Sequence, residues 1–418
     1  MVGAWRGLGH EDSATKNVQS VALTGPSDDQ KERTRLIHRM SEMKAVLFTI
    51  RIIGTLGALA SVHALAQEPA QSPTAATSKS GGAPDSAFRD QPLVRSIYTA
   101  DPSAHVFGGK IYVYPSHDVP TATPDDDLGN EYAMRDYRVL RLDHVGAPVT
   151  VGGVALDVKN VPWASKQMWA PDAVYRNGTY YLYFPARDRS RDKNGLGTFR
   201  IGVATSKNPM GPFTAQPKPI PGSFSMDPAV FTDTDGKTYM YFGGIWGGQL
   251  QRWAKGHFDP AGSDTDLHDD TAPALTGKVV QMGADLKSFA EKPRDAVILD
   301  QSGKAILGGD HEKRFFEASW MFKRNGKYYY TYSTGDTHFI NYAIGTNAYG
   351  PFTYAGHILK PVQGWTTHHS IIRADNQWWL FYADTQLSNR NHLRNVKVTR
   401  LTFNPDGTIQ TIDPMIAH

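Results

Sequence analysis

Five short segments of this 418-residue chain repeat one rhythm: a tight-turn dipeptide, then a run of aromatic and aliphatic residues. Gly108-Gly109 precedes Lys110–Tyr114, Asn177-Gly178 precedes Thr179–Tyr183, and Asp235-Gly236 precedes Lys237–Tyr241. Asn325-Gly326 then precedes Lys327–Tyr330, and Asp375-Asn376 precedes Gln377–Phe381. Dipeptides of this kind tolerate the positive φ that a two-residue hairpin needs, and the residues that follow favour extended backbone. Outer halves of the units repeat as well: Phe199–Ser206 leads to Gly211-Pro212-Phe213, and Phe339–Thr346 leads to Gly350-Pro351-Phe352. About four strands per unit, five times over, predicts an all-β fold, a five-bladed β-propeller with an axial active site. No second linker interrupts the pattern, so residues 92–413 are expected to form one catalytic domain. The stretch 254–300 fits the repeat poorly and reads as a long insertion between the third and fourth units, with a helical piece near Leu286–Phe289 and a place in the wall of a pocket.

The region before the repeats has a different character. Met43-Lys44 opens an apolar run from Ala45 to Ala60, broken by Arg51, and Ala64-Leu65-Ala66 ends it. A basic start, an apolar stretch and an Ala-x-Ala end predict a signal peptide over 43–66. Residues 1–42 are then expected to be a non-native N-terminal extension, with translation starting at Met40 or Met43. Residues 67–91, rich in Gln, Pro, Ser, Thr, Ala and Gly, predict a flexible linker. The mature protein is expected to be exported, periplasmic or secreted, with no membrane attachment after cleavage. A net charge of +3 with no basic stripe argues against nucleic acid as a partner. The absence of cysteine excludes disulfides, thiolate nucleophiles and thiolate metal sites.

Just ahead of each hairpin a polar residue precedes a short apolar strand: Asp101, Asp172, Asp227, Glu317 and His368. In a propeller the starts of the innermost strands face one axial cavity. Three carboxyls, Asp101, Asp227 and Glu317, should therefore meet there. Like charges held close cannot all ionise, so one acid should keep its proton beside an ionised neighbour, the arrangement glycoside hydrolysis needs. Taken singly, each Asp reads as a turn starter; their equivalent placement in different repeats gives the functional reading. Asp172 is phased differently against its strand and reads as structural. His368 faces the same axis and could hold a metal ion or water. With no second histidine at ligand spacing, a hard cation completed by water oxygens suits it better than zinc. Asp125-Asp126-Asp127 lacks calcium-loop spacing and reads as a solvated loop. Trp169, beside the axial start of the second blade, is the aromatic expected to stack on a sugar ring.

Five ordered motifs carry a resemblance: Ala100-Asp101-Pro102, Trp169-Ala170-Pro171-Asp172, Met226-Asp227-Pro228-Ala229, Phe316-Glu317-Ala318-Ser319 and His368-His369-Ser370. Over roughly 92–413 the chain resembles glycoside hydrolase family 43, five-bladed propellers of β-xylosidase and α-L-arabinofuranosidase type. The resemblance implies that Asp101 is the general base, Glu317 the general acid and Asp227 the carboxylate that raises and orients the acid. It further implies that His368 binds a divalent cation, calcium foremost, mainly through waters, and that Arg394 reaches the sugar and the modulating Asp227. No organic cofactor is implied. Two positions depart from the family pattern, which often has Gly where this chain has Ala318 and Thr367. The run from Met134 to Asp172 looks most like exo-acting β-xylosidases. The expected activity is an inverting β-1,4-xylosidase releasing xylose from xylo-oligosaccharides. The rivals are an α-L-arabinofuranosidase acting on arabinosylated oligosaccharides, a retaining fructan-active propeller, and a sugar-binding propeller without turnover. The fructan reading lacks the Asn expected before its first acid, because Ala100 stands there.

Overall fold

The structure, a computed structural model, describes residues 88–264, 269–365 and 368–415. The expected extension, the signal peptide, Thr367 and the linker up to residue 87 lie outside the described residues. The last residues of the expected linker, Phe88 to Gln91, instead belong to the folded part. Phe88 is buried, with the Lys397 ammonium 4.6 Å from its ring centre, and the Arg89 amide donates to the Pro414 carbonyl. An aromatic ring and a backbone partner hold these four residues in place.

The described residues form five antiparallel blades and no α-helix. Blade 1 runs Tyr98–Phe107, Lys110–Asp118, Asp136–Leu142 and Thr150–Asp157 from the axis outward. Blade 2 starts at Asp172–Arg176, blade 3 at Ala229–Thr232, blade 4 at Glu317–Arg324 and blade 5 at His369–Ala374. These five inner strands touch in the cyclic order 1-2-3-4-5-1, which makes the propeller a closed ring. The hairpins fall where the dipeptides predict. Gly108-Gly109, Asn177-Gly178, Asn325-Gly326 and Asp375-Asn376 all have positive φ at both residues, matching the right-handed twist of the flanking strands. The Asp235-Gly236 turn differs: it spans a longer loop, in which the Asp233 amide donates to the Lys237 carbonyl.

Residues 254–300 are not the insertion the sequence suggested. Lys278–Gln281 pairs with Thr238–Phe242, and Arg294–Asp295 pairs with Lys278–Gln281, so both are the outer strands of blade 3. Ile298–Leu299 adds in parallel to the outer strand of blade 4. The segment near Leu286 is a turn, closed by the Gly283 amide on the Ser288 carbonyl and capped by Asp285. The sequence does not announce these outer strands of blade 3: they are four and two residues long, and Val279 and Val280, buried on opposite faces, give no alternation.

The ring is closed without a covalent link. Blade 5 has three strands, and the segment before blade 1 runs along its outer edge: Leu93 donates to the Val396 carbonyl and Thr99 to the Arg394 carbonyl. Large aromatic residues fill the space between blades, and their hydroxyls are satisfied by loop carbonyls. Tyr114 donates to Pro209, Tyr137 to Trp169 and Tyr241 to Ala348.

Polar bonds tie the inner strands around the axis. The Ala104 amide of blade 1 donates to Ser370 of blade 5, and the Trp320 indole of blade 4 donates to the Ile371 carbonyl of blade 5. Asp172 is the hub of the other side. Its carboxylate is 1% exposed and accepts from Ser103 and the Val230 amide, from its own blade through Ala173 at 2.7 Å, and lies 2.6 Å from His105 Nε2. Blades 1, 2 and 3 thus meet on one buried carboxylate, a structural role. Asp172→Ala leaves these groups without their acceptor in the interior, so the folded state should lose about 3 kcal/mol or more. A urea midpoint within a few per cent of the parent would contradict this.

Candidate active site

The inner strands do not enter the axis smoothly. Asp101 has φ +48° and sits in a register shift between Ala100 and Ser103. Ala318 has φ +62° in an equivalent shift between Glu317 and Trp320. Asp227, two residues before its strand, has φ +55°. A bulge with one residue in the left-handed region re-aims the neighbouring side chain, at a cost the surrounding structure must bear. Aspartate tolerates that region better than most residues; alanine does not. The left-handed backbone at Ala318 gives the physical reason a glycine suits this position. It also turns the Ala318 amide toward Asp227 Oδ2, 3.1 Å away, joining blades 3 and 4 beside Glu317.

These bends bring Asp101, Asp227 and Glu317 into one cavity of about 260 Å³. His368 and Arg394 share its floor, and Trp169, Tyr132, Trp246 and Trp365 form walls. The exposed Asp125, Asp126 and Asp127 stand at the rim. No described residue of 254–300 lines it, so that stretch does not wall the pocket as expected.

Asp101 accepts from Ser116 Oγ at 2.5 Å and takes the two arms of the Arg394 guanidinium, Nη1 on Oδ1 at 2.8 Å and Nη2 on Oδ2 at 3.3 Å. Such a charge-assisted fork fixes the orientation of the carboxylate. Among the described residues no such cation is bonded to Glu317. Burial, with Asp101 nearby, pushes its carboxyl up to about 8. Asp227 is also raised well above the carboxylate range, first by burial and then by Glu317 and Asp101. The Glu317–Asp227 pair therefore keeps a proton into neutral pH while Asp101 faces a permanent cation.

Arg394 is the clamp of the floor. Besides Asp101 it holds Asp118, and the Arg394 guanidinium carbon lies 4.9 Å from the centre of the Tyr132 ring. Its hydrogen bonds run to Asp101 and Asp118, where the resemblance had pointed to Asp227; Asp227 feels Arg394 only as a nearby charge. Asp118 ends the second strand of blade 1, and no repeat position marks it in the sequence. Glu131, in the loop that follows, is pushed up to about 7 by burial. Neither stands at an inner-strand start: Asp118 closes a second strand and Glu131 lies in the loop that follows.

Trp169 lines the pocket but is only 7% exposed. Its indole donates to the Tyr132 carbonyl, its ring centre is 4.6 Å from that of Phe199, and Gly129 packs on its edge. It is a braced wall rather than an open platform. The half-buried aromatics at the mouth are Trp246 and Trp365, stacked with ring centres 5.8 Å apart. His368 is 6% exposed, and neither ring nitrogen has a hydrogen-bond partner among the described residues. Burial lowers its pKa, so the ring is held neutral with a lone pair to offer. Asp227 Oδ2 is 3.9 Å from its Nε2. Among the described residues no group of three His, Asp or Glu side chains is arranged to hold a metal. His368 thus fits one ligand position, and a hard cation there would take water for the others.

The raised Glu317 carboxyl sets a direction for stability. An unfolded glutamate ionises near 4.3. Between that value and about 8 the folded state holds a proton that the unfolded state releases. Stability from this group is complete at low pH and is lost as pH rises through that window. Glu317→Gln should therefore melt above the parent at pH 8, with a smaller gap at pH 5. Equal melting temperatures at both pH values would show the carboxyl is not held protonated.

Comparison with known proteins adds an independent line. The model of glycosyl hydrolases family 43 matches residues 148–409, beginning after the strands that carry Asp101 and Asp118. A xylosidase/arabinosidase 43A of Humicola insolens is 54% identical over 330 residues, covering 77% of this chain and 99% of its own length. A β-xylosidase of Xylanibacter ruminicola is 47% identical, covering 76% and 97%. Among solved structures, CoXyl43, a β-xylosidase/α-arabinofuranosidase from a compost metagenome solved with xylotriose in a calcium-free form, superposes with TM-score 0.76 at 57% identity, covering 78% of this chain and 98% of that one. Relatives at this identity extend over nearly their whole length across the ring of blades, and the chain belongs to glycosyl hydrolases family 43.

Proposed function

We propose that this protein is an inverting, exo-acting β-1,4-xylosidase that releases xylose from xylo-oligosaccharides. The observation that carries the reading is the unequal environment of the acids in one pocket: Glu317 raised to about 8, Asp101 forked to Arg394. In this reading Asp101 takes a proton from water as the water oxygen bonds to the anomeric carbon. Glu317 gives its proton to the leaving oxygen as the glycosidic bond breaks. Asp227, which accepts from the Ala318 amide beside Glu317, orients the acid and shares the pair's proton. Arg394 holds the base, and the pocket walls, Trp169 among them, bind the sugar.

Exo action is supported by the rim. Asn391 of blade 5 donates to Asp125 of the blade 1 loop at 2.7 Å, a tie across the mouth that restricts a through-running groove. The relatives' names support a pentose substrate; several name arabinosidase beside xylosidase, which favours α-L-arabinofuranosidase as the second reading. A xylobiose assay against arabinosylated oligosaccharides separates the two.

Glu317→Gln should lower kcat on xylobiose by about 10²–10⁴-fold, with a smaller loss on aryl xylosides whose leaving group needs no proton. In the parent, kcat/KM should fall as pH rises past about 8, when the acid loses its proton. Proton NMR of the first product should show the inverted anomer. Retention of configuration, or full activity in Glu317→Gln, would remove the assignment.

A divalent cation, calcium foremost, is proposed at His368. When bound it would supply positive charge beneath the acids. Calorimetry of chelator-treated protein with calcium chloride should show binding that His368→Ala abolishes. Unchanged binding in that variant would place any cation elsewhere.

A further inference from the structure

Asp118 is buried, 2% exposed, and does not line the pocket, so it cannot touch a substrate. Yet it makes more hydrogen bonds to Arg394 than Asp101 does. The Arg394 amide and Nε both donate to Oδ2, at 2.8 and 2.9 Å, and Nη2 donates to Oδ1 at 2.9 Å. A guanidinium gripped along its Nε–Nη2 edge has its plane fixed, and the Arg394 backbone is held by the same carboxylate. Nη1 and Nη2 then donate to the two oxygens of Asp101, Nη2 serving both carboxylates.

We propose that Asp118 is a positioning residue for hydrolysis: it fixes the plane of Arg394, and Arg394 in turn holds Asp101 in the geometry for taking a proton from water. The proposal rests on the reading of Asp101 as the base. One guanidinium bridges two buried carboxylates, one anchored beneath the pocket and one presented to it, so a shift of the first is passed to the second as a misplacement of the base. The other groups facing this cluster are Tyr132 and Glu131 from the loop after the second strand of blade 1, Asp227 and Glu317 from blades 3 and 4, and His368 from blade 5. All remain in place in an Asp118 variant.

Asp118 also bridges blade 1 to the edge of blade 5, so a purely structural latch is the competing role. Asp118→Asn, nearly isosteric, separates them. The expected result is a kcat on xylobiose lower by about 10-fold or more, with KM within about threefold. A latch would lower the melting temperature and leave the kcat of the folded fraction unchanged, which overturns the proposal. A second comparison covers poor folding of that variant: Arg394→Gln against Arg394→Gln/Asp118→Asn. If Asp118 acts through Arg394, the added change costs less than about twofold in kcat. A further loss of about 10-fold or more would overturn the proposal. Asp101→Asn serves as the control: full activity there would remove the base assignment itself, whatever Asp118 does.

Discussion

The three carboxylates can share a cavity only because the chain enters the axis in a conformation most residues avoid. Asp101, Asp227 and Ala318 all have positive φ at or beside inner-strand starts, two of them inside a register shift. A regular strand alternates its side chains between its two faces, and each of these starts would aim its carboxyl by that rule alone. The bulge breaks the alternation once, at the same level in blades 1 and 4, and the acids turn inward. The strain is borne by the ring. Asp172 ties three blades together, Ser370 and Trp320 tie the others, and Asp227 itself accepts the amide that the bend at Ala318 presents.

The second constraint is electrostatic. Burying three acids near one another is unfavourable, and the fold answers it asymmetrically. The ion pairs of Arg394 with Asp101 and Asp118 lie on the blade 1 side, while Asp227 is raised by its neighbour Glu317. The acids of one pocket thereby stand in unequal surroundings, Asp101 bonded to a guanidinium and Glu317 raised by burial. The difference comes from which side of the pocket holds the cation. It carries a stability cost at neutral pH, as is common where a site needs a charge the core would avoid. His368 lines the same pocket, buried and without a hydrogen-bond partner on its ring among the described residues.

Much of this was legible in the chain. Hairpin turns follow from dipeptides that accept positive φ, so the blade count and most inner strands could be read directly. The carboxylates could be placed because each stands at the same point of a repeat. The outer strands of blade 3 were misread, since Lys278–Gln281 and Arg294–Asp295 are short and separated by a long turn. Trp169 was placed correctly at the pocket, but its packing against Phe199 and Gly129 is invisible along the sequence. Asp118 and Glu131 carry no repeat-position mark, because Asp118 ends a second strand rather than starting an inner one and Glu131 lies in a loop. The partner of Arg394 was expected to be Asp227, and the ring closure sets it against Asp101 and Asp118 instead.

The sequence by itself determined the unit, its number and which acids stand where strands begin, because turn chemistry and strand alternation are local properties of a few residues. Only the tertiary structure decided which acid faces a cation and which is left in an apolar wall. That depends on residues nearly three hundred positions apart, such as Asp101 and Arg394, meeting where the last blade closes on the first. Charge acts through distance in space, and no local pattern encodes that distance.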